Sequence, residues 1–196
     1  MTVESILPFI REVDLLKKVE RQTNLHNGGR RENSAEHSWH LALAVLAFQE
    51  QAAEKIDVFK AVKMALLHDV VEIDAGDTFI YADQSGKVEE EAKAIERITA
   101  LIPGPLGEEF KRLWYEFESK ETPEGRFVGA LDRFLPCYAN FLNDGEGWRR
   151  HGITSAQVRA KNEGPVKAGI PKLWPVLEGM IQAMEKSGGL KTETAL

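Results

Sequence analysis

Residues 64–77, MALLHDVVEIDAGD, join an apolar helical pattern to a cluster of residue types that packing alone does not require. Val62, Ala65, Leu66, Val70 and Ile73 recur at helical spacing and predict a buried helix over 57–74, with Asp57 as N-cap and Gly76 as the stop. His68 and Glu72 stand one turn apart (72 − 68 = 4), and Asp69 lies in the same turn as Glu72. A His, an Asp and a Glu crowded at one buried end need a common partner, because burying them unpaired costs several kcal/mol, on the order of the transfer penalty of each polar group. The residues alone leave two readings: a divalent metal site, or a buried histidine satisfied by its carboxylate neighbours.

The composition bounds the rest. The 196 residues suit one domain, expected over 1–186 with a frayed tail at 187–196. With 43% hydrophobic and 29% charged residues, the chain is of ordinary globular type. No apolar run is long enough for a membrane span and no basic-then-apolar leader stands at the start, so a cytoplasmic protein without membrane partners is expected. The single cysteine, Cys137, lies in the apolar run FLPCYANF and reads as a core residue in a reducing compartment. A formal charge of −6 argues against a nucleic-acid polymer and leaves room for a small anion beside a metal and a few arginines.

Upstream, residues 2–19 predict an amphipathic helix interrupted near Pro8, and 20–33, with Gly28, Gly29 and three arginines, a long loop. Asn33 and Glu36 have the capping-box spacing that starts a helix with Leu41, Ala44, Val45 and Phe48 on its apolar face. His37 and His40 share that helix, His40 being read as a hydrogen-bonded packing residue. Downstream, 78–87 read as a lid, 88–102 as an amphipathic helix, and Phe110, Leu113, Trp114 and Phe117 as a packing stripe. Thr122 and Pro123 open a helix that carries Asp132 among Leu131, Phe134 and Leu135. Such an Asp is paired either with Arg126 or Arg133 or with a metal. Thr154 with Gln157, then Pro171, predict two last helices. With no strand alternation the fold class is all-α, a single helical bundle.

The order His37, His68-Asp69, Asp132, in the motifs RRENSAEHSWH, MALLHDVVEIDAGD and GRFVGALDRF, resembles the HD superfamily of metal-dependent phosphohydrolases, and within it the 5'-deoxynucleotidase branch. LLKKVERQ and EEEAKAIERI extend the resemblance from Leu15 to about Asn143. The resemblance implies an HD-domain helical bundle in which His37, His68, Asp69 and Asp132 hold one divalent metal ion. Two imidazoles and two carboxylates suit Mn, Co, Fe, Ni or Zn without choosing among them. It also implies that Glu72 moves a proton, Asp77 orients water or substrate, and Arg21, with Arg30 assisting, grips a 5'-phosphate. After Arg21 stand Gln22, Thr23 and Asn24, where the best-known members carry tryptophan near the sugar.

The expected function is hydrolysis of (deoxy)nucleoside 5'-monophosphates to nucleoside and phosphate, by a homodimer that pairs through the aromatic stripe or the last helix. Two alternatives stay open: an HD hydrolase of another phosphorylated small molecule, such as a triphosphate or signalling nucleotide, and a non-catalytic helical module with a structural metal.

Overall fold

The structure, a computed structural model, describes residues 2–82 and 85–192. Short helices α1 (Leu7–Val13), with 3₁₀ turns on either side, lead into a hairpin of β1 (Glu20–Asn24) and β2 (Arg31–Asn33). The bundle follows: α2 (Ser34–Phe48), α3 (Val58–Leu67), α4 (Glu72–Ala75), α5 (Lys87–Thr99), α6 (Pro105–Ser119), α7 (Pro123–Leu142), α8 (Glu146–His151), α9 (Ser155–Gly169) and α10 (Trp174–Ser187). All-α is therefore the right class, with one small antiparallel ribbon added.

α7 is the centre of the bundle. Phe127, Val128, Ala130 and Leu131 on it are fully buried, and α2, α3, α6, α9 and α10 pack around it. Burying one such large side chain contributes roughly 1.5–3 kcal/mol, so the helix that carries Asp132 is also the one the core holds most firmly. Capping at Asn33, Asp57, Thr122 and Thr154 is as the sequence predicts, each side chain accepting a backbone N–H of the first turn. Cys137 is buried and free, and burial pushes its thiol up to about 12.

Five expectations need correction. Residues 20–33 form the hairpin rather than a loop: the pair Glu20↔Asn33 and Asn24↔Arg31 closes over a turn at Asn27–Gly29, all three with positive φ. The strands are polar throughout, so no alternation announced them. The helix expected over 57–74 breaks after Leu67. Trp114 Nε1 donates to the His68 carbonyl at 3.1 Å, and Glu72 N turns instead to the Asp69 carbonyl at 3.0 Å. The buried face of α3 runs through Ala61, Met64, Ala65 and Leu67, leaving Leu66 exposed. His40 is exposed rather than packed. The segment after 186 is tied down as far as Lys191: Leu190 is buried, and Ser155 N donates to the Lys191 carbonyl. Residues 193–196 of that expected tail, and Asp83 and Gln84 of the expected lid, lie outside the described residues.

The aromatic stripe of α6 is spent in the core, with Leu113, Trp114 and Phe117 buried, and so is the inner face of α10. The α6 stripe is therefore not free to be a dimer face, while the outer face of α10, with Val176, is exposed. No helix among the described residues is long and apolar enough to cross a membrane.

Candidate metal centre and phosphate site

Four elements deliver the candidate ligands to one point. His37 sits in the first turn of α2, His68 caps α3, Asp69 lies in the turn that follows, and Asp132 projects from the middle of α7. One ligand atom from each of His37, His68 and Asp69 lies within 4.8 Å of the others. Asp132 Oδ1 is 3.0 Å from His37 Nε2 and 3.7 Å from His68 Nε2. The break after Leu67 matters here, because it swings Asp69 inward beside His68 instead of leaving the two about 100° apart on a continuous helix.

The donor set fits a cation. His68 Nδ1 is 2.9 Å from the Ala65 carbonyl, which can only accept, so Nδ1 carries the hydrogen. That leaves Nε2 buried, without a hydrogen-bond partner, and 3.0 Å from Asp69 Oδ1. A lone pair aimed at two carboxylates is repelled unless a proton or a metal ion stands between them. Burial opposes a charged His68, yet Asp69 and Asp132 raise its pKa to about 10. Burial likewise opposes ionised Asp69, and His68 with Arg21 brings it down to about 2. The same arrangement surrounds His37, whose Nδ1 lies 3.5 Å from Glu32 Oε2. Both imidazoles thus have an oxygen acceptor behind them and carboxylates in front, as metal-binding histidines do.

Around this centre the cavity carries both acids and a guanidinium. Arg21, on β1, donates from Nη1 to Asp69 Oδ2 at 2.7 Å and lies 3.9 Å from Glu72 and 3.8 Å from Asp77. Its Nε makes no hydrogen bond, though Glu32 Oε2 is 3.6 Å away. Glu72 opens α4 and accepts from Ser34 Oγ at 2.5 Å. Burial, then the Asp69 charge, raise its pKa to about 8. Asp77 follows Gly76, whose φ of 74° turns the chain back into the site, and its carboxyl is also raised, by burial first.

Arg21, Asp69, Glu72, Asp77 and Asp132 line one cavity of about 160 Å³, with Phe79, Tyr81, Asn140 and Trp148 on its far wall. Seven of the eight sequence-predicted residues therefore gather at the site. Arg30 does not. It stands exposed on the hairpin, its Nη1 donating to Glu36 Oε2 at 2.8 Å, so it steadies the α2 capping box instead of the cavity.

Sequence reasoning missed Glu32 behind His37, Ser34 behind Glu72 and Trp114 behind His68. The first two sit in RRENSAEH, close enough to His37 that a second carboxylate and a hydroxyl near a candidate ligand were a usable signal. Trp114 left none, because its indole reaches His68 only through the tertiary fold.

Comparison with known proteins agrees with this geometry. The HD-domain family model matches residues 13–174. The chain is 32% identical over 133 residues to the 5'-deoxynucleotidase HDDC2 of Homo sapiens, covering 66% of this chain and 63% of that protein's length. It is 31% identical over 137 residues to the 5'-deoxynucleotidase hdd1 of Schizosaccharomyces pombe, 66% of this chain and 68% of that one. Among solved structures, a "Predicted metal-dependent phosphohydrolase" from Magnetospirillum magnetotacticum superposes with a TM-score of 0.91 at 40% identity, over 96% of this chain and 95% of that one. An HD-domain phosphohydrolase from Listeria innocua shares the fold, with a TM-score of 0.63 at 18% identity, over 94% of this chain and 95% of that one. A family model that spans residues 13–174, over a bundle that brings His37, His68, Asp69 and Asp132 together in this order, makes this chain a member of the HD-domain family.

Proposed function

We propose that the protein is a metal-dependent phosphomonoesterase that hydrolyses deoxynucleoside 5'-monophosphates to nucleoside and phosphate. The observation that carries the reading is the convergence of Arg21 and Glu72 on the His37, His68, Asp69 and Asp132 cluster from elements far apart in the chain. The names of the relatives support the choice of substrate class.

In this reading His37, His68, Asp69 and Asp132 hold one divalent ion from the series Mn, Co, Fe, Ni and Zn. Such an ion polarises a phosphoryl oxygen and acidifies bound water. Arg21 offers a planar fork of donors to the phosphate, and releasing Asp69 to the metal frees Nη1 for that role. Glu72, with a pKa near neutrality, holds or gives up the proton that passes between the attacking water and the leaving 5' oxygen, while Ser34 fixes its carboxyl. Asp77 orients water or the sugar hydroxyl. Phe79, Tyr81 and Trp148 supply an apolar wall for the nucleoside. The expected second copy of the chain fits best against the exposed stripe Trp39, Leu43 and Leu46 of α2.

Phosphate release from a panel of ribo- and deoxynucleoside 5'-monophosphates, 3'-monophosphates and triphosphates, with Asp69→Ala as control, tests the proposal. Release confined to deoxy 5'-monophosphates and lost in the control is the expected result. Hydrolysis of triphosphates in preference would move the assignment to another HD activity.

A further inference from the structure

The residues of the metal centre border a second cavity, of about 380 Å³, on the side of α6, α7 and α9. It shares Asp69, Lys87, Asp132 and Arg133 with the first, and His68 also faces it. Four cations, Lys87, Lys120, Arg126 and Arg133, line this space together with four carboxylates, Asp69, Glu91, Glu118 and Asp132. Two are neutralised: Lys87 pairs with Glu91 at 3.3 Å and Arg126 with Glu54. Among the described residues, the side chains of Lys120 and Arg133 form neither an ion pair nor a hydrogen bond.

Lys120 is held there at a cost. It ends α6 with φ of 54°, a left-handed conformation that favours glycine. Its ammonium lies over the Phe117 ring, 2.9 Å from the centroid, and Phe117 in turn packs edge-on against His68. Its stem runs along Gly129 of α7, where a Cβ would meet Lys120 Cε at 3.0 Å and Cδ at 3.2 Å. A glycine inside a helix is less favourable than alanine, and here it makes room for the lysine stem. Burial pulls the ammonium down to about 8, and the Glu118 and Asp132 charges offset only part of that. The Phe117 ring and these charges compensate Lys120 only in part, and an anion entering the cavity would supply the hydrogen-bonding partner its ammonium lacks.

We infer that Lys120 and Arg133 form an oxyanion subsite that takes a phosphate group through the second cavity, next to the metal-ligand residues. The inference rests on the proposed function for the source of that phosphate, either the released product or a second phosphate on a substrate, but not for the anion itself.

The test is calorimetric titration of inorganic phosphate into the metal-loaded protein and its Lys120→Met and Lys120→Arg variants. A hydrogen bond to a charged group contributes enough that Lys120→Met should bind phosphate about tenfold more weakly. Lys120→Arg should recover most of the loss. The unfolding temperature of Lys120→Met should equal or exceed that of the parent, since the change removes a half-buried charge that no carboxylate pairs; a structural lysine would lower it. Phosphate binding as tight in Lys120→Met as in the parent overturns the inference. Weaker inhibition by phosphate with KM for the monophosphate kept assigns the subsite to the product. Lost affinity for nucleoside diphosphates assigns it to a second substrate phosphate. If no nucleotide is hydrolysed while Lys120→Met still binds phosphate more weakly, the nucleotidase reading falls and the subsite stands.

Discussion

Glu32→Gln is the perturbation that isolates the support behind the metal centre. Glu32 lies on β2 with its side chain 11% exposed, and its Oε2 is 3.5 Å from His37 Nδ1 and 3.6 Å from Arg21 Nε. Glutamine keeps the size and one acceptor but removes the charge, so His37 loses the carboxylate that fixes its ring and raises its basicity. Removing such a partner costs roughly 10- to 100-fold in metal affinity, or about 1.4–2.8 kcal/mol. None of the four proposed ligands is touched, and the bundle core lies elsewhere, so far-ultraviolet circular dichroism should be unchanged. Competition against a metal chelator at neutral pH measures the affinity directly. An affinity within twofold of the parent would refute the reasoning, because it would mean that His37 is oriented by α2 alone.

The metal-free protein should lose stability as pH rises. His68 has a pKa of about 10 against an ordinary 6.5, burial being outweighed by Asp69 and Asp132; Glu72 has about 8 against 4.5, through burial and Asp69. Both are raised, so each group's contribution is complete below its ordinary value and is lost as pH climbs to the folded one. Thermal unfolding with chelator present should therefore show a falling midpoint from pH 6.5 to 9.5, and saturating metal should flatten that fall, since the ion replaces the protons; a flat metal-free profile would contradict it. Glu72→Ala should abolish turnover while metal content, read by elemental analysis, stays at the parent level. Retained turnover would remove Glu72 from proton transfer.

Most of the centre was legible because metal chemistry limits which residue types can serve. His37, His68, Asp69 and Asp132 are dear to bury without a cation, and three of them stand in apolar helical runs where their presence asks for an explanation. Helix starts were legible through Asn33, Asp57, Thr122 and Thr154, since capping is a local interaction. What was not legible depends on partners distant in sequence. At the break after Leu67 the His68 carbonyl accepts from Trp114, 46 positions away. The hairpin of Glu20–Asn24 and Arg31–Asn33 is polar on both faces, so period-two alternation is absent. α8 is only six residues long, between Gly145 and Gly152, both left-handed, and lies below the length at which periodicity can be read. The sequence offers Arg30 beside Arg21 as an assisting residue. Their placement separates them, since β1 turns Arg21 inward while Glu36 holds Arg30 at the surface.

The most direct measurement is phosphate release from a deoxynucleoside 5'-monophosphate as metal-stripped protein is reloaded with divalent ion. Release should appear with the ion, saturate at one equivalent per chain, and be absent throughout in Asp69→Ala. A protein that binds one equivalent and releases no phosphate would contradict the account and leave the ion a structural role.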